Sequence, residues 1–255
     1  MRALKIIADG DSWASYPRFL LTGGGLIDHL EAVMGVPITN YAHPGDTSLE
    51  TLGLEKSRRL EAILPGADIL IFSSGGDDIA GDQFCVWLNQ NTDGDIAKAV
   101  NWWRLRAALD LIVADLEDLT DIRDRLATNC LLVTHSYDFP THDMMGVGVL
   151  HLLGPWLKPG LDYCGWTNAD DQVQIVKSVM KEFQNRTAAF AAQNRKHLHV
   201  NTQGTLSPAD WQNEIHPNDA GWTKIAQAIN LALLPWLDEI AFPAVPPPCS
   251  PRIPG

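Results

Sequence analysis

The sequence predicts an open α/β fold, a mostly parallel sheet with helices on both faces. Three observations predict it. Short apolar, β-rich runs alternate with segments of helical period along the chain. The runs are apolar almost throughout rather than at every second position, as in strands covered on both faces. Several of them also run directly into Gly- and Asp-containing loops, and an open sheet carries its chemistry at such carboxyl ends.

Leu4 to Asp9 reads as the first strand and ends in Gly10-Asp11-Ser12-Trp13. After an irregular segment with Pro17, the cluster Gly23-Gly24-Gly25 opens a helix with Leu26, Ile27, Leu30 and Val33 on one face. The cluster lacks the spacing and the Lys-Ser/Thr of a phosphate-binding loop, so it reads as a turn. Pro37 to Ala42 is the second strand, ending in His43-Pro44-Gly45-Asp46, and Thr47 or Ser48 caps a helix running to about Leu64. Ala67 to Ser73 is a third, continuously apolar strand that enters Ser74-Gly75-Gly76-Asp77-Asp78, with a short helix to about Leu88. Asn101 to Leu126 has helical period, with a break expected near Thr120, and Cys130 to Thr134 is the fourth strand. Residues 135–170 form a long irregular piece rich in aromatic side chains (Tyr137, Phe139, Trp156, Tyr163, Trp166), read as a wall or lid. Gln172 to Asn194 is a helix, His197 to Asn201 the fifth strand, and the last helix runs from about Asp219 to Trp236. The tail 242–255 holds six prolines in fourteen residues, which suits neither a helix nor a central strand. The expected organisation is one domain over 1–241 with the insertion at about 135–170, followed by that tail.

Of 255 residues, 45% are hydrophobic and 20% charged, enough for one large core. Nineteen Lys and Arg against 31 Asp and Glu leave a formal net charge of -12. Such a surface repels phosphate backbones and anionic lipid, so neither nucleic acid nor membrane is an expected partner. Cys85, Cys130, Cys164 and Cys249 are widely spaced, without C-x-x-C, and read as reduced thiols. No signal-peptide core and no run of about 18 apolar residues is present, so the expectation is a cytoplasmic protein.

Ser12 lies just past a strand end, and a serine nucleophile needs a base within hydrogen-bond reach and donors aimed at the oxyanion. His216, held between Ile215 and Pro217 before a helix start, is the best base of the eight histidines. Gly45 and Gly76 stand where backbone N–H groups can be approached closely. His43, His135 and His142 read as surface or supporting residues, and Asp78 as structural.

This ordered set resembles the SGNH hydrolases, or GDSL esterase/lipase family. Gly10-Asp11-Ser12 resembles the first block, Gly45 the second, Ser74-Gly75-Gly76-Asp77-Asp78 the third and Asn213-Glu214-Ile215-His216-Pro217 the last. The resemblance implies a three-layer α/β/α sandwich with a central five-stranded sheet, the flavodoxin-like SGNH hydrolase fold. It implies a serine hydrolase of short-chain carboxylic esters working through an acyl-enzyme, without cofactor or metal. Ser12 is then the nucleophile, His216 the base, and Ser12, Gly45 and Asp77 the oxyanion hole.

Two positions depart from the family pattern. Asp77 stands in place of an Asn, and a carboxyl group donates to an oxyanion only when protonated. Asn213 stands in place of the Asp that orients the histidine; Glu214 or Asp210 could take that part, or a backbone carbonyl. Two other readings stay open. Asp9, Asp11, Asp46, Asp77, Asp78 and His216 could serve a metal-dependent phosphoesterase, or the core could be a non-catalytic ligand-binding module.

Overall fold

The computed structural model describes residues 3–18, 23–140 and 154–241. The tail 242–255, with Cys249, and the 141–153 part of the expected lid, with His142, lie outside them.

Five strands form the sheet: β1 (Ile6–Gly10), β2 (Ile38–Asn40), β3 (Ile69–Ser73), β4 (Leu131–His135) and β5 (His197–Val200). Their order is β2-β1-β3-β4-β5 and every pairing is parallel. Alternate residues point to opposite faces, and the core divides accordingly. Ile6, Ala8, Ile69, Ile71, Leu131 and Val133 pack on one face, among α1 (Leu26–Met34) and α8 (Asp219–Ala241). Ile7, Leu70, Phe72 and Leu132 pack on the other, against Leu60 of α3 (Leu54–Ile63) and Leu116, Leu119 and Ile122 of α5 (Trp102–Leu126). Burying each such aliphatic side chain is worth roughly 1.5–3 kcal/mol. Double coverage explains why β1, β3 and β4 are apolar over most of their length rather than at every second position.

The helices differ from expectation in three places. The helix expected from Thr47 to Leu64 is split by Gly53 into α2 (Ser48–Thr51) and α3. Thr47 is the N-cap of α2, accepting the Glu50 N–H, and Glu50 reciprocates in a capping box. No break occurs near Thr120: its hydroxyl is satisfied by the Leu116 carbonyl at 2.8 Å, and the buried Leu116, Leu119 and Ile122 around it hold the helix on the sheet. The last helix continues through Pro235 to Ala241. Buried Leu233 and the packing of Trp236 and Leu237 on the core offset the proline's cost of about 3 kcal/mol.

The segment after β3 forms α4 (Gly76–Ile79) and a 3-10 turn (Asp82–Trp87). The expected wall contributes α6 (Lys158–Tyr163), and α7 (Ala169–Gln193) follows. Trp166 of that wall is buried and donates to the Asn89 carbonyl at 2.8 Å, whereas Tyr163 is exposed. Arg123 is fully buried at the opposite end of the sheet. Its guanidinium donates to the carbonyls of Cys130, Arg195 and Lys196, clamping the turns that enter β4 and β5.

The chain leaves β1 for β2 on one side and later places β3 on the other. The carboxyl ends of β1 and β3 therefore flank the crevice where strand order reverses, the favoured ligand position in open sheets.

Candidate active site

β1 ends in a close approach. Gly10 pairs with Ser73 of β3 at φ +139, and a Cβ there would lie 1.8 Å from the Ser73 carbonyl oxygen. Only glycine fits, and the chain turns at once into the Ser12 loop. Asp11 holds that loop: its N–H donates to Ser73 O at 2.8 Å. Its buried carboxylate accepts the Trp13 N–H at 3.0 Å, the Ser73 hydroxyl at 3.1 Å and the Tyr137 hydroxyl. Burial, then the neighbouring Asp77 charge, holds the Asp11 carboxyl well above the usual range.

His216 sits on a closed loop. Trp211 bridges Pro217, Gln212 N–H donates to His216 O at 2.8 Å, and Asn218 N–H donates to Asp210 O at 2.8 Å. The Trp13 indole N–H reaches across to Ile215 O at 2.9 Å, so the residue after Ser12 fixes the loop that carries His216. The result is an Oγ–Nε2 distance of 2.8 Å between Ser12 and His216.

His216 Nδ1 lies 3.0 Å from Oδ1 of Asn213. The same oxygen accepts the backbone N–H of Ile215 at 3.1 Å and of His216 at 2.9 Å. Backbone N–H groups only donate, so the Asn213 atom facing them is the oxygen. Nδ1 then carries the imidazole proton, and the Nε2 lone pair faces the serine hydroxyl. Burial alone pushes the His216 imidazole down to about 3. The Asn213 amide nitrogen donates to the Tyr16 hydroxyl at 3.0 Å, and the Tyr16 ring stands 4.6 Å from the imidazole at 42°.

Glu214 and Asp210, considered as orienting acids, are placed elsewhere. The buried Glu214 carboxylate accepts the N–H groups of Leu157 and Lys158, each at 2.9 Å, and that of Trp156. It thus satisfies the unpaired N–H groups where α6 begins, while Trp156 presents its ring edge-to-face to His216 at 5.5 Å. Asp210 accepts from Lys224 at 2.7 Å and from Ser207 at 2.6 Å, which lowers its carboxyl to about 2.

Gly45 lies on an exposed turn at φ +87, which a side chain rarely adopts. The turn is tied back to β1 by His43 N–H donating to Gly10 O at 2.9 Å. Asp77 is the second residue of α4, and among the described residues its Oδ2 is buried without a hydrogen-bond partner. Burial, then the charges of Asp78, Asp46 and Glu50, raises the Asp77 carboxyl to about 6. Asp78 is structural as expected, accepting the Ser48 N–H at 2.8 Å and hydroxyl at 2.9 Å.

Ser12 and Asp77 line one narrow cleft of about 40 Å³, with Ile79, Phe84, Tyr137 and Met180 among its apolar walls. Three carboxylates of the metal reading find other partners: Asp9 pairs with Arg59 at 2.8 Å, Asp46 with Lys56, and Asp11 with Tyr137. Among the described residues no three His, Cys, Asp or Glu side chains gather as a ligand set. His135 is buried against Trp13, with ring centroids 5.6 Å apart, and burial lowers it to about 4.

Three aromatic residues of the site escape sequence reasoning. Trp13, Tyr16 and Tyr137 act through partners 202, 197 and 126 residues away, and no local pattern announces such contacts.

No family model matches the sequence, and no curated protein is significantly similar to it. Solved structures do match in fold. An extracellular lipase from Streptomyces rimosus is 16% identical with a TM-score of 0.57, covering 90% of this chain and 100% of its own. Phospholipase A1 from Streptomyces albidoflavus NA297 is 14% identical with a TM-score of 0.57, over 91% and 100% of the two chains. A family 3 carbohydrate esterase from Clostridium thermocellum is 15% identical with a TM-score of 0.54, over 94% and 100%. The chain thus has the three-layer fold of the SGNH hydrolases, as the resemblance implied. The names of these structures span lipid and carbohydrate substrates, so the shared fold does not select one. Among the described residues no helix is long and apolar enough to cross a membrane.

Proposed function

We propose that the chain is an SGNH-type serine esterase that cleaves short-chain carboxylic esters through an acyl-enzyme. The observation that carries this is the continuous relay Ser12 Oγ, His216 Nε2, His216 Nδ1, Asn213 Oδ1, with steps of 2.8 and 3.0 Å. Ser12 Oγ attacks the ester carbonyl carbon while its proton passes to Nε2. The carbonyl electron pair moves to oxygen, where the N–H groups of Ser12 and Gly45 and the protonated Asp77 carboxyl receive it. Collapse breaks the bond to the alcohol, which leaves with the proton from Nε2. A water then repeats the sequence, releasing the acid and restoring Ser12.

The cleft supports a short acyl group. A volume of about 40 Å³ holds only a few water-sized spheres, and its walls are apolar. An acetyl-sized group fits that description better than a fatty chain.

A fluorophosphonate probe followed by intact-mass and peptide analysis tests the reading. The expected result is a single adduct on Ser12, lost in Ser12→Ala together with turnover of p-nitrophenyl acetate. Labelling elsewhere, or turnover that survives Ser12→Ala, overturns it.

A further inference from the structure

The amide at position 213 poses a chemical problem within the proposed relay. When Nε2 takes the serine proton, the imidazole becomes a cation in a buried site, and a neutral amide supplies only a dipole to stabilise it. The amide oxygen is also heavily used. It faces three N–H donors, from Ile215, His216 backbone and His216 Nδ1, yet a carbonyl oxygen has two lone pairs.

Tyr16 stands where it can answer both difficulties. It is 4% exposed and accepts the amide N–H of Asn213 at 3.0 Å. Drawing on the nitrogen end of an amide strengthens its oxygen as an acceptor, because hydrogen bonds in a chain polarise one another. The negative end of the Asn213 dipole is thereby strengthened on the side that faces Nδ1. Its ring also lies 4.6 Å from the imidazole, placing π density close to the developing cation. Burial raises the phenol above its ordinary range, so it stays neutral across the working range and keeps its lone pairs for this bond.

We propose that Tyr16 is a positioning residue of the relay: it polarises Asn213 and supports the His216 imidazolium, making an amide competent where a carboxylate would otherwise be needed. The inference rests on the serine-esterase reading, and its test separates the two.

The test is a double-mutant cycle of Tyr16→Phe and Asn213→Asp, with kcat and KM measured on p-nitrophenyl acetate and thermal midpoints measured alongside. Phe keeps the ring and removes the acceptor. In the Asn213 background, kcat is expected to fall at least tenfold with KM within about twofold. With Asp at 213, which carries its own charge and needs no polarising partner, Tyr16→Phe is expected to change kcat less than threefold. Equal losses in both backgrounds, or a loss borne by KM, overturn the proposal. Should Phe fail to fold, Tyr16→His supplies a ring with an accepting nitrogen. It is then compared with Tyr16→Leu, which has none, and equal kcat for the two is the overturning result. The low-field proton NMR signal of His216 Nδ1–H gives a readout independent of turnover, expected to move upfield in Tyr16→Phe as the bond to Asn213 weakens. A wild-type protein that labels no serine and turns over no ester defeats the esterase reading, while an unchanged Nδ1–H signal in the Phe variant defeats the role of Tyr16.

Discussion

Asn213 binds His216 twice with one atom: its Oδ1 lies 2.9 Å from the histidine's backbone nitrogen and 3.0 Å from its Nδ1. The first contact is a turn hydrogen bond that any Asp or Asn could make. The second fixes the tautomer, and the two together tie the imidazole to the loop that carries it. An amide here orients the ring without adding charge, so nothing counters the burial that lowers His216 to about 3.

Asn213→Asp is expected to raise the His216 pKa, since an anion beside an imidazole favours its charged form. The base must be neutral to accept a proton, so the acid limb of the kcat/KM profile should move up by at least about one pH unit. Asn213→Ala should lower kcat by roughly 10²–10⁴ by losing the tautomer. Steady-state profiles of the two variants decide this; an acid limb that stays put in the Asp variant counts against His216 as the base.

Asp77 titrates on the other side of the working range. Its carboxyl lies at about 6, so it is a donor below that pH and an anion above it. Wild-type kcat/KM is expected to decline as pH rises through about 6, whereas Asp77→Asn, whose amide donates at every pH, should lack that decline. At alkaline pH the Asn variant should be faster by about 10²–10³, the worth of one oxyanion donor. Loss of all activity in Asp77→Asn, or an unchanged alkaline limb, removes Asp77 from the oxyanion site.

Glu214 is a structural acid on the loop that carries His216. Glu214→Ala leaves three N–H groups at the start of α6 without their acceptor, and the buried one, of Leu157, costs about 1–3 kcal/mol. We expect a thermal midpoint lowered by several degrees and a weaker ester KM, because Trp156 leaves its place against His216. Denaturation monitored by circular dichroism measures the first effect and initial rates the second. A stable Glu214→Ala variant whose pH profile has a displaced acid limb would instead assign Glu214 to the relay.

If the proposed esterase reading holds, the cleft sets acyl length. p-Nitrophenyl acetate should be turned over with higher kcat/KM than the octanoate ester. Met180→Ala, which opens a wall of the cleft, should raise the butyrate-to-acetate ratio about tenfold, the worth of one or two methylenes of apolar contact. Equal rates on acetate and octanoate in the wild type contradict the short-chain reading.

Stability should fall with acidity. Burial lowers four histidines, His135 and His197 to about 4 and His199 and His216 to about 3. In the unfolded chain each binds a proton near pH 6.5, so between about 6.5 and the folded values the unfolded state holds more protons. Unfolding free energy therefore drops as pH falls below about 6.5, by up to about 1.4 kcal/mol per pH unit for each group. The raised carboxyls of Asp9, Asp11, Asp77, Asp78 and Asp115 act in the opposite sense, stabilising the fold as pH falls toward their unfolded values near 3.8. Urea midpoints at pH 7 and pH 5 measure the balance, and we expect the histidines to prevail with a lower midpoint at pH 5.

Much of this was legible in the residues. β1, β3 and β4 are apolar on both faces until they near their carboxyl ends, and double coverage by helices accounts for that, so the layers followed. Ser12 and His216 could be singled out because each follows a strand in a loop of small or stiff residues. Helix continuity was less legible. Thr120 reads as a breaker by type, yet it bonds within its own helix, and Pro235 is carried by the apolar residues around it.

By itself, then, the sequence determined the class of fold, the order of its elements and the pair Ser12 and His216, because periodicity and strand-end chemistry are local properties of the chain. Only the tertiary structure decided which group meets His216 Nδ1. Asn213, Glu214 and Asp210 lie within six residues of His216, and each carries an oxygen that could accept from an imidazole N–H. The fold turns Asn213 to the imidazole, Glu214 to the start of α6 and Asp210 to Lys224. Each goes where its unpaired partner waits, and those partners are set by contacts between distant segments, which local sequence does not encode.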